Sequence, residues 1–372
     1  MKNNKPNIII SGGGTGGHLF PAIAIAQAIK AKHKDANILF VGAKGRIEEK
    51  KVPEAGFAIE LLNISGFQRK LSIKTFTFFI KLASSLLKSR KIIRKFKPDV
   101  AVGVGGYASG PLLQVATKRG IPALLQEQNS FPGITNRLLA NKVQTICVAY
   151  DGLEKFFPSE KIIKTGNPVR EKLISTSSTK TEAIEFFGLN PNKKVVLSLG
   201  GSGGARSLNN GIAVKLNEII DSDVQIIWQT GKYYIEESKE AAAKYNSKNI
   251  LVTDFITHMD LAYKAADVVI SRAGAGTISE LCILKKAVIL VPSPNVAEDH
   301  QTKNAKALLE NNAAILVKDS NTNEQLIGET LKLVNNESLI KDLSENISKF
   351  AFFNSANIIA DEVLKLIVNK ND

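Results

Sequence analysis

The sequence predicts an α/β protein built as two Rossmann-like domains in series. Three observations carry that expectation. Short apolar runs alternate with helix-length segments along the chain, a glycine loop opens a helix near the start of each half, and 372 residues suit two domains better than one. In the first half, Ile8–Ile10 reads as a buried strand. The stretch SGGGTGG follows, and then a helix from about His18 to Lys32. Ile38–Val41 is the next strand. Val100–Val104 follows a helix that ends near Lys97, and Ala123–Leu125 and Thr145–Val148 continue the alternation.

The second half repeats the logic. Val195–Leu199 is a strand, followed by the glycine loop and helix GGSGGARSLNNGIAVKL. Gln225–Gln229 is a strand, Val268–Ser271 leads into RAGAGTISELCIL, and Val288–Val291 is one more strand. Between the halves, GNPVREKLISTSSTKTEA has a Ser/Thr-rich centre and reads as a linker, so the domains are expected over residues 1–170 and 171–372. In such sheets ligands bind beyond the carboxyl ends of the strands, where these loops lie. Two domains facing each other would set their glycine loops across one cleft.

Composition narrows the class. The apolar fraction of 44% is ordinary for a globular protein. Two cysteines, Cys147 and Cys282, exclude a disulfide framework and fit a reducing compartment. The opening apolar run is too short for a signal peptide, and the charge-free run between Asp99 and Lys118 is broken by glycines and a proline, so it does not read as membrane-spanning. The net charge of +14 is uneven: residues 1–170 hold 27 Lys/Arg against 10 Asp/Glu, whereas residues 171–372 hold 22 against 25. A basic half suits nucleic acid, an anionic membrane or a phosphorylated substrate.

Gly12, Gly14 and Gly17 satisfy G-x-G-x-x-G, a weak signal by itself. A dinucleotide site would place an acid at the end of the second strand, and ILFVGAKG has none there, which demotes a nicotinamide cofactor. What remains is an anion site of backbone N–H groups at a helix N-terminus. His18 stands at its mouth. A lone histidine is usually a capping or packing residue, but a helix N-terminus disfavours imidazolium, so a neutral His18 could accept a proton. GGSGGAR offers a second set of N–H groups at a helix start, and Glu280, in the helix after SRAGAG, could accept ribose hydroxyls or be a solvated carboxylate. His300, Gln301 and Asn304 could donate to sugar hydroxyls. His18, His33, His258 and His300 are too far apart in sequence to form a metal cluster, and His33 reads as a surface residue.

Residues 64–97 hold ten Lys/Arg and no acid. From Thr75 the pattern is helical. Lys74, Lys81, Lys88 and Lys95 fall on one stripe, while Phe76, Phe79, Ile80, Ala83 and Leu87 lie opposite and are expected to face the core. Phe78 and Ile92 lie near the lysines. Lys74, Phe78, Lys81 and Lys88 are therefore expected to meet an anionic membrane surface. A merely solvated basic helix is the plainer reading, and no nucleic-acid recognition motif is present.

Taken in order, GGGTGGHLFPAIAIA, VGVGGYASGP, QEQNSFPGITN, GNPVR, GGSGGARSLN, DFITHM, SRAGAGTISEL and EDHQTKNA resemble the MurG glycosyltransferase family over almost the whole chain. The resemblance implies a GT-B fold with a cleft, no required metal or other cofactor, and a last helix that packs back on the first domain. It implies inverting β-1,4 transfer of N-acetylglucosamine from UDP-N-acetylglucosamine to an undecaprenyl-diphosphate-linked muramyl-pentapeptide, and a peripheral place on the cytoplasmic face of the inner membrane beside other cell-wall synthesis proteins. It assigns Ile256 and Met259 to uracil, Glu280 to ribose, Ser202 to the diphosphate, Ala275, Gly276, Thr277 and Arg170 to the sugar-phosphate, and His300 and Gln301 to the sugar. Thr15, Gly16, Gly17 and Asn129 are also assigned to the UDP-sugar. Gly13, Gly14, Thr15, Gly16 and Tyr107 are assigned to the acceptor, and His18, Glu127 and Asn129 to catalysis. Departures from the common pattern fall at Gln126, Gly203 and His300, where His, Gln and Gln are usual. An epimerase, a transferase with a soluble acceptor and a non-catalytic nucleotide-sugar sensor are the rival readings, and nothing in the composition selects N-acetylglucosamine over another sugar.

Overall fold

The computed structural model describes residues 5–65, 73–201, 203–296 and 299–368. It divides into two compact units, Met1–Arg170 with Phe353–Asp372, and Glu171–Phe352. In the first, the order is β1 (Asn7–Ser11), α1 (Gly16–Lys32), β2 (Asn37–Ala43), α2 (Glu48–Glu54), β3 (Ala58–Leu62) and α3 (Ile73–Phe96). Then come β4 (Val100–Gly103), α4 (Ser109–Lys118), β5 (Ala123–Glu127), α5 (Ile134–Leu139), β6 (Thr145–Val148) and β7 (Ile162–Lys164). All seven strands are parallel, in the order β3-β2-β1-β4-β5-β6-β7.

The run NIIIS is apolar on successive residues because both faces of its sheet are covered. Ile8 and Ile10 enter one core with α1, and Ile9 enters the other with Leu112 and Leu113 of α4. α1 starts at Gly16, two residues before the expected start, so His18 lies within its first turn.

The second unit runs α6 (Glu171–Ile174), α7 (Lys180–Phe186), β8 (Val195–Leu199), α8 (Arg206–Val214), α9 (Leu216–Asp221), β9 (Gln225–Gln229), α10 (Ile235–Ala243) and β10 (Ile250–Thr253). It continues with α11 (Met259–Ala265), β11 (Val268–Ser271), α12 (Ala275–Ile283), β12 (Ala287–Leu290), α13 (His300–Leu309), β13 (Ile315–Leu316), α14 (Thr322–Val334) and α15 (Glu337–Ser348). Its strands are parallel in the order β10-β9-β8-β11-β12-β13, the doubly wound arrangement. Trp228 is buried, and its indole N–H donates to Asn209 Oδ1 at 3.0 Å, which meets the need of a buried indole for an acceptor. Thr179, inside the expected linker, forms a capping box with Glu182 and starts α7. The last helix, α16 (Ser355–Val368), belongs to the first unit. Its Ile359, Ala360, Val363 and Leu366 join the core of α1, and Asp361 pairs with Lys32 at 2.8 Å.

α3 corrects the expected packing face. Phe79, Ile80 and Leu87 are 57, 56 and 62% exposed, and Ala83 is exposed with them. The buried side is Ser85, Ser89, Ile92 and Ile93, flanked by Leu82, Leu86 and Phe96. Ile92, expected near the lysines, is therefore core. Lys88 stays exposed at the edge of this contact, donating to the carbonyl of Leu61 at 2.6 Å and lying 3.7 Å from Glu60. Small serines let the helix lie close to its neighbours, and a long lysine can cross the edge of that contact with its charge still solvated. A helical period alone does not choose between two apolar stripes. The side chain of Lys74 and that of Phe76 lie outside the described residues.

Lys286, half-buried after α12, donates to the carbonyl of Ala266 at 2.8 Å, and burial pulls its pKa down to about 8. The unfolded chain keeps that proton up to the ordinary lysine range near 10.5. Stability therefore rises as pH climbs from 8 to 10.5 and is lost as pH falls through 8. Lys286→Met is expected to raise stability at pH 7 by about 1 kcal/mol, discounted for partial solvation, and to remove that rise. Urea melts of both proteins across the range check it, and parallel pH curves would contradict it.

Candidate active site

In each sheet the strand order reverses between two neighbours, β1 and β4 in one unit and β8 and β11 in the other. Connections leave such a switch point in opposite directions and open a crevice at the carboxyl ends. The glycine loops of the sequence stand there.

In the first unit the loop after β1 meets the loop after β4 backbone to backbone. A Cβ on Gly106, whose φ is +90°, would overlap the carbonyl of Gly13, so only glycine permits this approach. The His18 ring lies against Gly105, and its Nδ1 is 3.3 Å from Thr15 Oγ1. A Cβ on Gly14 would stand 3.9 Å from the Tyr107 ring, and Tyr107 is exposed. Gly16 and Gly17 open α1 and by position have no helical partner for their N–H groups. His18, Thr15, the glycines and Tyr107 are thus brought together. The N–H of Gly14 is an exception to the expected set of anion donors, because it donates to Glu48 Oε2 at 2.9 Å.

On the adjacent strand end, Glu127 is buried. Its Oε1 accepts from the backbone N–H of Asn129 at 3.1 Å and from Asn129 Nδ2 at 3.2 Å. Its Oε2 accepts from the Gly133 N–H at 3.1 Å and from Asn136 Nδ2 at 2.8 Å. Burial pushes its carboxyl above the usual range, and these hydrogen bonds pull it back. Four donors on two oxygens tie Glu127 to the loop carrying Asn129. Gln128 ties this loop to the one after β4, donating to the Val104 carbonyl at 2.8 Å. Arg170 lays its guanidinium over the Phe20 ring at 5.3 Å.

In the second unit, Gly203 and Gly204 of the loop after β8 are seated against the end of β9. A Cβ on Gly204 would overlap the Thr230 carbonyl, and its φ is +76°. A cavity of about 560 Å³ opens beside this loop, lined among others by Gly200, Gly204, Arg206, Tyr234, Arg272 and Gln301. Gln301 Oε1 accepts from the Ser293 N–H at 2.9 Å, and His300 opens α13 beside it. Ala275, Gly276 and Thr277 form the first turn of α12, capped by Gly274 with no side-chain bond, a helix start whose N–H groups by position have no helical partner. Glu280, further along α12, accepts from the Tyr263 hydroxyl at 2.9 Å. Ile256 is buried and Met259 half-buried at the start of α11. Ser202 lies outside the described residues.

Two residues that sequence reading passed over hold these sites. Glu48 looks like an ordinary helix carboxylate. Arg272 Nη1 donates to the Val291 carbonyl at 3.0 Å and to Asp319, while Nη2 donates to Ser207 Oγ at 2.9 Å. Its only sequence signal is its place directly before a glycine loop. Among the described residues no group of three His, Cys, Asp or Glu side chains could hold a metal ion.

Two doubly wound parallel sheets with glycine loops at both switch points are the architecture of the GT-B class, which the matches to glycosyltransferase domains bear out. The Glycosyltransferase family 28 N-terminal domain matches residues 8–148, and the family 28 C-terminal domain matches residues 195–359. The chain is 54% identical to the UDP-N-acetylglucosamine–N-acetylmuramyl-(pentapeptide) pyrophosphoryl-undecaprenol N-acetylglucosamine transferase of Parabacteroides distasonis, over 98% of this chain and 100% of that one. It is 57% identical to the protein of the same name in Phocaeicola vulgatus, over 96% of each. The crystal structure of Acinetobacter baumannii MurG superposes with a TM-score of 0.76 at 25% identity, covering 97% of this chain and 100% of that one. The chain belongs to this family of N-acetylglucosamine transferases, the MurG family.

Proposed function

We propose that this chain transfers N-acetylglucosamine from UDP-N-acetylglucosamine to the 4-hydroxyl of a lipid-linked N-acetylmuramyl-pentapeptide, with inversion at the sugar C1. The observation that carries this reading is the near-full-length identity to transferases of that name. The two glycine-loop sites supply the anion contacts such diphosphate substrates need. The second unit takes the UDP-sugar, with Ile256 and Met259 at uracil, Glu280 at ribose, Ser202 and the start of α12 at the diphosphate, and His300 and Gln301 at the sugar. The first unit takes the acceptor diphosphate on the N–H groups of residues 15–17, with Tyr107 and Asn129 near the reacting hydroxyl.

In the tautomer that donates from Nδ1 to Thr15, His18 Nε2 carries the lone pair. It takes the acceptor proton as the oxygen attacks C1, the bond from C1 to the diphosphate oxygen breaks, and UDP leaves with the electron pair. The charge that develops on UDP is met by oriented backbone N–H groups and by arginine. UDP release from UDP-N-acetylglucosamine, with and without the lipid-linked acceptor, tests the reading. Acceptor-dependent release supports it, while acceptor-independent release would replace it with a hydrolase or epimerase.

We also assign membrane contact to α3. No helix among the described residues is long and apolar enough to cross a membrane. The exposed stripe Phe79, Ile80, Ala83 and Leu87 continues into exposed Lys91 and Arg94 on the same helical face, and Ile134 and Leu138 of α5 are 62 and 70% exposed. An apolar stripe with cations at its end suits an anionic bilayer surface, at about 1 kcal/mol per well-placed Lys or Arg. Phe79→Glu with Leu87→Glu is expected to weaken binding to phosphatidylglycerol vesicles by at least about tenfold in a flotation assay. Undiminished flotation would remove α3 from this role.

A further inference from the structure

Glu48, the first residue of α2, is 1% exposed, and its two recorded partners are both backbone N–H groups. Oε1 accepts from Ala43 at 3.0 Å, at the end of β2, and Oε2 accepts from Gly14 at 2.9 Å, in the glycine loop after β1. The slot that holds the side chain exists because two residues lack a Cβ. A Cβ on Gly13 would overlap the Glu48 carboxyl carbon, and one on Gly42 would come within 2.5 Å of Glu48 Cγ. The carboxylate is therefore a fitted part of the loop. It occupies the N–H that a bound anion would otherwise take.

We propose that Glu48 is a positioning residue for the acceptor diphosphate. A loop with five glycines between residues 12 and 17 has many backbone states, and ordering it on binding would cost affinity. An internal acceptor on Gly14 selects one state, with Gly14 at φ +86°, and hands the chain to α1 with the N–H groups of residues 15–17 already oriented. The same carboxylate also bears on ligand choice. Dinucleotide sites use an acid near the end of the second strand to hold ribose. Here an acid does reach that strand end, but both its oxygens point inward onto backbone. The loop thus accepts a diphosphate without offering a ribose contact. This inference rests on the reading that the acceptor binds the first unit.

The test compares Glu48→Gln, Gly13→Ala and His18→Ala in the full chain, with the lipid-linked acceptor and UDP-N-acetylglucosamine varied separately. Glu48→Gln puts an amide against one of the two N–H groups, and it is expected to raise KM for the acceptor about tenfold while KM for the UDP-sugar stays within about twofold. Gly13→Ala, which crowds the carboxylate without changing charge, should move the same parameter and serves if Glu48→Gln does not fold. Glu48→Ala with Gly13→Ala should be milder than the product of the two single effects, because the new methyl enters the vacated slot. If acceptor KM is unchanged in Glu48→Gln and Gly13→Ala while His18→Ala loses turnover, the acceptor site stands and the role of Glu48 falls. If the wild-type chain shows no acceptor-dependent turnover, the acceptor site falls and takes this role with it. Equal rises in both KM values would make Glu48 general scaffold and overturn the proposal.

Discussion

Replacing His18 by Ala is expected to lower kcat by about 10²–10⁴ while UDP-sugar affinity stays within about twofold. The size follows from removing a positioned general base. The selectivity follows from the fold, because His18 stands in the first turn of α1 against the loop after β4, whereas the residues proposed for uracil, ribose and the donor diphosphate follow β8, β10 and β11. Single-turnover transfer and calorimetric titration with UDP separate the two quantities. Thr15→Val tests the same arrangement more gently, because it removes the Nδ1 partner at 3.3 Å and leaves the imidazole in place. Its loss should be smaller than that of His18→Ala and should appear in kcat. A His18→Ala enzyme with normal turnover would remove the base from this residue. Glu127 could not readily replace it, since both its oxygens already serve the backbone and side chains of residues 129–136.

Arg272→Ala is expected to destabilise the second unit by about 2–3 kcal/mol and to weaken UDP binding about tenfold. One guanidinium here joins four segments: its own loop after β11, the carbonyl of Val291 after β12, Ser207 in α8, and Asp319 beyond β13. Ser207 Oγ in turn donates to Asp319 at 2.5 Å. The side chains of Arg272 and Asp319 are 17 and 26% exposed, so the loss should fall below that of a fully buried pair. Removing the fork strands a partly buried carboxylate and loosens the two loops beside the cavity. Lysine offers a point charge without the planar fork, so Arg272→Lys should recover only part of both losses. Urea unfolding read at Trp228 gives the first quantity, and UDP titration gives the second. Wild-type values for both would show that the network is incidental.

Much of this architecture was legible in residues 1–372 as letters. Continuous apolar runs such as NIIIS, VVLSL and VVIS mark strands covered on both faces, and the glycines after them mark places where backbone must approach backbone. Short strands with weaker patterns, Ala58–Leu62, Ile162–Lys164, Ile250–Thr253 and Ile315–Leu316, were not legible, because half-buried edge strands carry little apolar periodicity. The candidate site divides in the same way. His18, Tyr107, Ala275 and Glu280 stand inside motifs, whereas Glu48 and Arg272 act through partners that no local pattern names.

The sequence by itself determined the alternation of strands and helices, the glycine loops and the family, because period, backbone freedom and residue order are local properties. Only the tertiary structure decided which residues meet. Gly14 finds Glu48 across 34 positions, Arg272 finds Asp319 across 47, and Lys32 finds Asp361 across 329. It also decided that α3 buries its serines and shows its phenylalanine to solvent. A helix carries its stripes wherever it goes, but the surface beneath selects the one that packs, and that surface is assembled from strands distant in the chain.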